Sequence, residues 1–314
     1  MGAQQRIFRQ RIRDTQSTKK ITRAMELIAS SRIVKAQAAV KATEPYALAL
    51  REALTLAASN AKVTHPLVNE VENPQRAAIV LITADRGLAG AYSSNAIKEA
   101  ERLAKRLRDR GLTPVNYIVG RKGVSFYKFR ERPIETSWVG FSDNPKYDDA
   151  KKIAARLLHD FVELPEGERV DEIHIVYTHF VNRVVQEARV IRVVPLEVVD
   201  EVVDTSSGEG IHGGENKGGK PVWPLYDFEP DAETTLDALL PRLIEHLMHV
   251  ALLESAASEH AARQRAMKSA TDNAEDLIKR YTRQANQARQ AEITQEISEI
   301  VGGADALASA TAGS

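Results

Sequence analysis

At 314 residues the chain has room for one large or two modest domains, and its 43% hydrophobic and 5% aromatic content suits long helices better than a thick core. It has no Cys, which excludes disulfides and thiolate metal sites, and no apolar run long enough to span a membrane. Its 43 basic and 43 acidic side chains cancel overall, but residues 1–35 carry Arg6, Arg9, Arg11, Arg13, Lys19, Lys20, Arg23, Arg32 and Lys35 against only Asp14 and Glu26, so this end suits an acidic partner surface.

The Arg-rich start has the composition of a mitochondrial transit peptide. Against that reading, the apolar pattern runs unbroken into Ile21, Met25 and Ile28, which makes the basic segment part of one mature helix from about Gln4 to Ala61. Ala24, Ala29, Ser30 and Ser31 are small enough to admit a second helix closely. His65-Pro66 and Asn73-Pro74 end this segment. Ala77 to Thr83 then reads as a buried strand, Ser94 to Asp109 as a helix, Pro114 to Val119 as a strand and Lys122 to Phe129 as a short helix. Asp148 to Val162 reads as a helix, and Glu172 to Thr178 and Glu187 to Val199 as strands. Such alternation implies a doubly wound, mostly parallel sheet domain over 75–200.

Gly208, Gly210, Gly213, Gly214, Gly218 and Gly219 mark 201–221 as a surface loop. Val222 to Asp231 is a compact aromatic segment, with Asp231 placed as an N-cap. From there to Val301 the spacing is helical. Leu236, Leu240, Leu243, Leu247 and Val250 keep heptad spacing, which fades into Ala257, Ala261 and Gln264. It returns one residue out of phase at Met267, Ala270, Ala274, Leu277 and Tyr281. A helix of roughly 100 Å, at ~1.5 Å per residue, has no core of its own in which to bury such a stripe. The expected architecture is α/β. A long antiparallel coiled coil joins the N-terminal helix (1–61) to the C-terminal helix (231–301), the sheet domain is inserted between them, and a tail follows at 302–314.

A search for chemistry returns little. Ala84 to Gly90 carries G-x-x-G, neither G-x-G-x-x-G nor a P-loop, and reads as a tight strand-to-helix turn. His246 and His249, near Glu245 and Glu254, have the spacing of a metal pair but sit on a heptad helix as interface flanks. His174 and His179 lie on or just after a strand, with no carboxylate cluster evident. A nucleic-acid role for the basic end lacks stacking aromatics, since Phe8 is alone in residues 1–35. The expectation is no catalytic residue, no cofactor and no metal.

Three stretches carry a family resemblance. They are Ile293-Thr294-Gln295-Glu296-Ile297-Ser298-Glu299-Ile300-Val301-Gly302-Gly303-Ala304-Asp305-Ala306, Glu259 to Arg263 with Ala266 to Ala274, and Arg11-Ile12-Arg13 through Lys20 to Glu26. Asp85 to Gly90 and Gly120-Arg121-Lys122-Gly123 agree as well. Over residues 3 to 308 the chain resembles the gamma subunit of rotary ATP synthase, of bacterial type.

The resemblance implies a non-catalytic central stalk at the cytoplasmic side of the plasma membrane. It implies an alpha/beta hexamer, an epsilon subunit and the membrane c-ring as partners, and a role in regulating ATPase activity and proton flow. By motif match, Arg263, Arg289, Gln290, Thr294 and Glu296 fall at catalytic-ring contacts. Ile293, Ile297, Ile300 and Val301 fall at an apolar bearing tip, and Tyr226 and Glu229 at the membrane-ring contact. The chain departs from the family pattern at Gln264, at the polar run Tyr281 to Gln287, in a longer 201–221 loop and in an extended tail. The loop and tail are the candidates for contact with epsilon or for braking rotation in one direction.

Overall fold

The structure, a computed structural model, describes residues 3–60, 65–165, 167–196 and 231–312. The expected loop at 201–221, the segment from Val222 to Pro230 and the expected end of a strand at Val199 lie outside them. In chain order the elements are α1 (Ala3–Asn60), β1 (Arg76–Ile82), α2 (Tyr92–Asp109), β2 (Thr113–Val119), α3 (Arg121–Phe129), β3 (Thr136–Trp138), α4 (Tyr147–Val162), β4 (Glu172–Phe180), β5 (Gln186–Val194) and α5 (Ala232–Ala312). By internal contacts the chain falls into two units. One comprises Lys35–Gly87 with Ala91–Glu259, the other Met1–Val34, Leu88–Gly90 and His260–Ser314. The division at Glu259 lies inside the stretch where the heptad phase slips.

In the first unit the sheet order is β3-β2-β1-β4-β5. β1 pairs parallel with β2 and β4, β2 pairs parallel with β3, and β5 pairs antiparallel with β4. Strand β1 is buried on both faces, as its continuous apolar run requires. Ala77, Ile79 and Leu81 face one core with Ala96, Ala100, Leu103 and Leu107 of α2. Ala78, Val80 and Ile82 face the other, with Ile153, Ala154 and Leu157 of α4, Leu50 and Leu54 of α1, and Leu236, Leu240, Ile244 and Met248 of α5. Period-two alternation thus builds the two-sided sandwich. β3 is absent from the sequence reading because three residues carry no detectable period. β5 stops at Val194, short of the expected Val199.

The first long helix runs nearly as expected, and Pro45 lies within α1 without ending it. Asp231 caps α5 as expected, its Oδ1 accepting from Thr234 N at 2.7 Å. That bond and its companions at the same carboxylate hold Asp231 below the usual range. Beyond Gly302 and Gly303 the helix continues to Ala312, so the residues assigned to a tail are largely helical.

In the second unit, antiparallel pairing of α1 and α5 is read from partner numbers that fall as those of α1 rise. Arg11 lies over the Tyr281 ring, Lys19 Nζ meets Glu275 Oε2 at 3.0 Å, and the Thr22 and Thr271 hydroxyls bond at 2.8 Å. The expected seam of Ile21, Met25 and Ile28 needs correction. Ile21 and Ile28 are 60% and 55% exposed, while Thr22, Glu26, Ala29 and Ile33 are buried. On α5 the matching face is Ala261, Met267, Thr271 and Ala274. Thr22, Ala29, Ala261, Thr271 and Ala274 are small enough to let the two backbones approach, Ile33 and Met267 fill the seam beside them, and Ile21 and Ile28 are turned outward.

Glycine shape governs one junction. A Cβ on Gly120, at φ +92°, would lie 2.1 Å from Thr83 O. At Gly111, φ +87°, it would meet open space. Gly111→Ala is expected to cost about 1–2 kcal/mol of backbone strain and Gly120→Ala about 3 kcal/mol or more, read from urea unfolding midpoints.

Candidate functional site

The carboxyl edge of a parallel sheet is where such folds bind ligands, next to the strand at which the order reverses. Here that strand is β1, and three residues beyond its end is Asp85. Its Oδ1 accepts from Arg121 N at 3.1 Å, and its Oδ2 accepts from Gly140 N at 2.7 Å and Ser142 N at 3.1 Å. Ser142 Oγ in turn accepts from Asp85 N at 2.8 Å. The amides that could cradle a phosphate already hold an internal carboxylate. Gly123 is equally structural. Its N–H donates to Thr83 Oγ1 at 2.9 Å, and a Cβ there would lie 2.7 Å from Ile118 Cγ2.

The histidines resolve one by one. His246 sits 5.2 Å from the Tyr46 ring, and His249 sits edge-on 5.4 Å from Tyr147. Burial lowers the pKa of both, with His246 adding repulsion at His249. The Tyr147 hydroxyl donates to Glu245 at 2.6 Å, and burial followed by that bond pushes it up to about 12. The sequence showed no carboxylates for His174 and His179, but the fold supplies one to each. His174 Nε2 is 2.8 Å from Glu172, and His179 Nδ1 is 2.5 Å from Glu254 of α5. Both histidines lie on β4, which extends to Phe180. Among the described residues no group of three His, Asp or Glu is placed to hold a metal.

Glu172 is a buried carboxylate held between two partners, the Arg110 guanidinium and the ring of His174. The hydrogen bond from His174 holds its carboxyl at about 2; burial opposes this, and Arg110 reinforces it with contacts of 2.6 and 3.1 Å. Arg110 follows the end of α2, so the pair ties that helix to β4.

The remaining candidate surface is helical and belongs to the second unit. Ile293, Ile297, Ile300 and Val301 are 44%, 55%, 72% and 54% exposed and share one face by their i, i+4, i+7, i+8 spacing. Arg289, Gln290, Thr294 and Glu296 are exposed around them, with Thr294 Oγ1 donating to Gln290 O. Arg263 differs. It is buried and its guanidinium lies 3.4 Å from His260 Nδ1, so it does not present an open contact. Tyr226 and Glu229 lie outside the described residues. Sequence reasoning missed the apolar face of α1, where Ile7, Ile21 and Ile28 are all more than half exposed. Its signal is the spacing of Ile7, Ile21 and Ile28 in multiples of seven, of which Ile21 and Ile28 also fit the expected internal seam. Apolar exposure on both helices marks an interaction surface. Among the described residues no helix is long and apolar enough to cross a membrane.

The profile of the family described as ATP synthase matches residues 4–307. A Thermobifida fusca protein named ATP synthase gamma chain is 56% identical over 314 residues, covering 100% of both chains. A Streptomyces griseus protein of the same name is 58% identical, over 100% of this chain and 99% of its own. Among solved structures, the chain is similar to a Euglena gracilis mitochondrial ATP synthase rotor, with a TM-score of 0.62 and 17% identity over 93% of this chain and 100% of that one. It is also similar to a Tetrahymena thermophila mitochondrial ATP synthase central stalk/c-ring chain, with a TM-score of 0.56 and 22% identity over 80% of this chain and 99% of that one. At these identities the solved structures speak to the fold.

Because Glu172 titrates lower folded than its ordinary value of 4.5, its contribution to stability is complete above that value and is lost as pH falls towards about 2. Glu172→Gln is expected to lower the melting temperature at neutral pH and to flatten its fall between about pH 4.5 and 2, measured by circular dichroism.

Proposed function

The chain belongs to the ATP synthase gamma-subunit family, and from that premise we propose that it is the central rotor shaft of a proton-translocating ATP synthase. In this role it couples rotation of the membrane c-ring to conformational change at the catalytic sites of an alpha/beta hexamer. It is a non-catalytic subunit that regulates ATPase activity and proton flow, held peripherally on the cytoplasmic side of the plasma membrane. The carrying observation is the full-length match of residues 4–307 to the family. The exposed apolar face of Ile293, Ile297, Ile300 and Val301, at the end of an 81-residue helix, supports it.

A shaft alters its surroundings only through contacts that differ between their alternative states. Side chains suited to this are exposed and polar, since surface ion pairs are worth about 0–1 kcal/mol and are exchanged easily. Arg289, Gln290, Thr294 and Glu296 meet that requirement and are assigned to the ring's loops. The four apolar residues serve as a bearing surface inside the ring, and Ile7, Ile21 and Ile28 extend the enclosed surface along α1. Arg263, being buried, is assigned to holding the helix pair. The sheet domain serves as the foot on the c-ring together with epsilon, with Tyr226 and Glu229 as its contacts.

The purified chain is expected to assemble with alpha and beta subunits at one copy per hexamer, checked by native mass spectrometry; hexamers that form without it in the same mixture would sink the reading. Arg289→Ala with Gln290→Ala is expected to lower hydrolysis by the assembled complex about tenfold, the loss of roughly 1.5 kcal/mol for one charge-assisted hydrogen bond. Because both residues are exposed, the melting temperature of the isolated chain stays unchanged.

A further inference from the structure

Strand β4 outlasts one of its neighbours. Its pairing with β1 ends at Leu81↔Val176, whereas its pairing with β5 continues through Thr178↔Ala188 to Phe180↔Gln186. Beyond Val176 the side of β4 facing away from β5 has lost its strand partner, and a buried backbone group left unpaired there is costly. Helix α5 fills the position. Thr178 N donates to Ser255 Oγ at 3.3 Å, and Ser258 Oγ donates to Thr178 O at 3.0 Å. Ser255 and Ser258 are one turn apart on one helix face and are 1% and 0% exposed. On the next residue His179 Nδ1 meets Glu254 Oε2 at 2.5 Å. Two hydroxyls of a helix thus do for the β4 backbone what the next strand would have done, and a carboxylate beside them holds a β4 side chain.

These contacts differ in kind from the rest of the attachment. Leu236, Leu240, Ile244, Met248 and Leu252 hold α5 to the sheet through apolar burial. Apolar burial is non-directional and resists lifting a helix off a surface more than turning it about its axis. Hydrogen bonds weaken steeply when their angles change. The polar contacts at Glu254, Ser255 and Ser258 therefore fix the angle of α5 at the sheet, which apolar packing leaves loosely set.

We propose that Thr178 and His179 of β4 with Glu254, Ser255 and Ser258 of α5 form an angular key that passes torque between the sheet domain and α5. These are positioning residues for coupling, and the assignment rests on the rotor reading above. It makes the seam between sheet and helix, rather than an exposed surface, a place where coupling is lost by mutation.

The test uses the complete ATP synthase in inside-out membrane vesicles, with ATP hydrolysis and ATP-driven proton pumping measured together. The wild-type chain must support coupled pumping; if it does not, the rotor reading itself fails. Glu254→Ala with Ser258→Ala is expected to lower protons pumped per ATP hydrolysed at least twofold, with the chain still present in the purified complex. Should that pair prevent assembly, Glu254→Gln and Ser258→Ala singly carry the same expectation with a smaller loss. Exchanging the two partners, His179→Glu with Glu254→His, is expected to restore the ratio lost in Glu254→Ala. An unchanged ratio in assembled variants overturns the key. So does a fall of pumping and hydrolysis in equal proportion, which is the signature of lost stability alone.

Discussion

An 81-residue helix has more surface than any one neighbour in its own chain can cover, and the rest of this structure follows from how α5 meets that constraint. From Leu236 to Leu252 it joins the core on one face of a sheet. Between Ala251 and Glu259 every residue but the half-buried Glu254 is buried, serines included. From Ala261 to Ala274 it lies against the small-residue face of α1. By Ile293 it carries apolar side chains into the open. Each change of neighbour requires a change of residue type. Amphipathic leucines give way to alanine and serine, then to a narrow seam, then to isoleucines on an otherwise polar helix. No single heptad register could serve all four, which is why the spacing slips where it does.

That succession explains what was legible in advance. β1 was plain because all of Ala77 to Ile82 is buried, and a strand enclosed on both faces leaves an unbroken apolar run. The doubly wound order followed from alternation of strand and helix, and the N-cap at Asp231 from its side chain alone. The seam of the helix pair was misread by one residue. Hydrophobicity selects Ile21 and Ile28, but close approach selects Thr22 and Ala29, and at these positions shape outranks apolar bulk. The outward isoleucines become intelligible only once a partner outside the chain is allowed. β3 was invisible because Thr136–Trp138 is held by register with β2, and no local pattern announces it. Pairs such as His179 with Glu254 depend on residues 75 positions apart, a separation that periodicity does not span.

The sheet domain has the plan of a nucleotide-binding fold, yet its loops are committed to holding the chain together. Thr83 joins β1 to the β2–α3 turn through Val119 O, at 2.8 Å, and Gly123 N, at 2.9 Å, and glycine at 120 and 123 is what lets them meet. Arg110, Glu172 and His174 tie the opposite edge in the same manner. Charged and polar groups that resemble fragments of active sites are here spent on fixing elements against each other. A list of its titratable clusters would suggest more chemistry than the geometry can perform.

The carboxylate of Asp85 has a thermodynamic corollary. A protein that binds a metabolite in its native state gains stability whenever that metabolite is abundant and loses it when the metabolite is scarce. Asp85 fills the three amides of its loops with a covalently attached anion whose local concentration never varies. The stiffness of that edge is thereby uncoupled from the cell's adenylate pool. For a domain proposed as the foot of a rotor whose far end turns among sites that fill and empty with ATP and ADP, this gives an edge whose stiffness does not depend on that ligand.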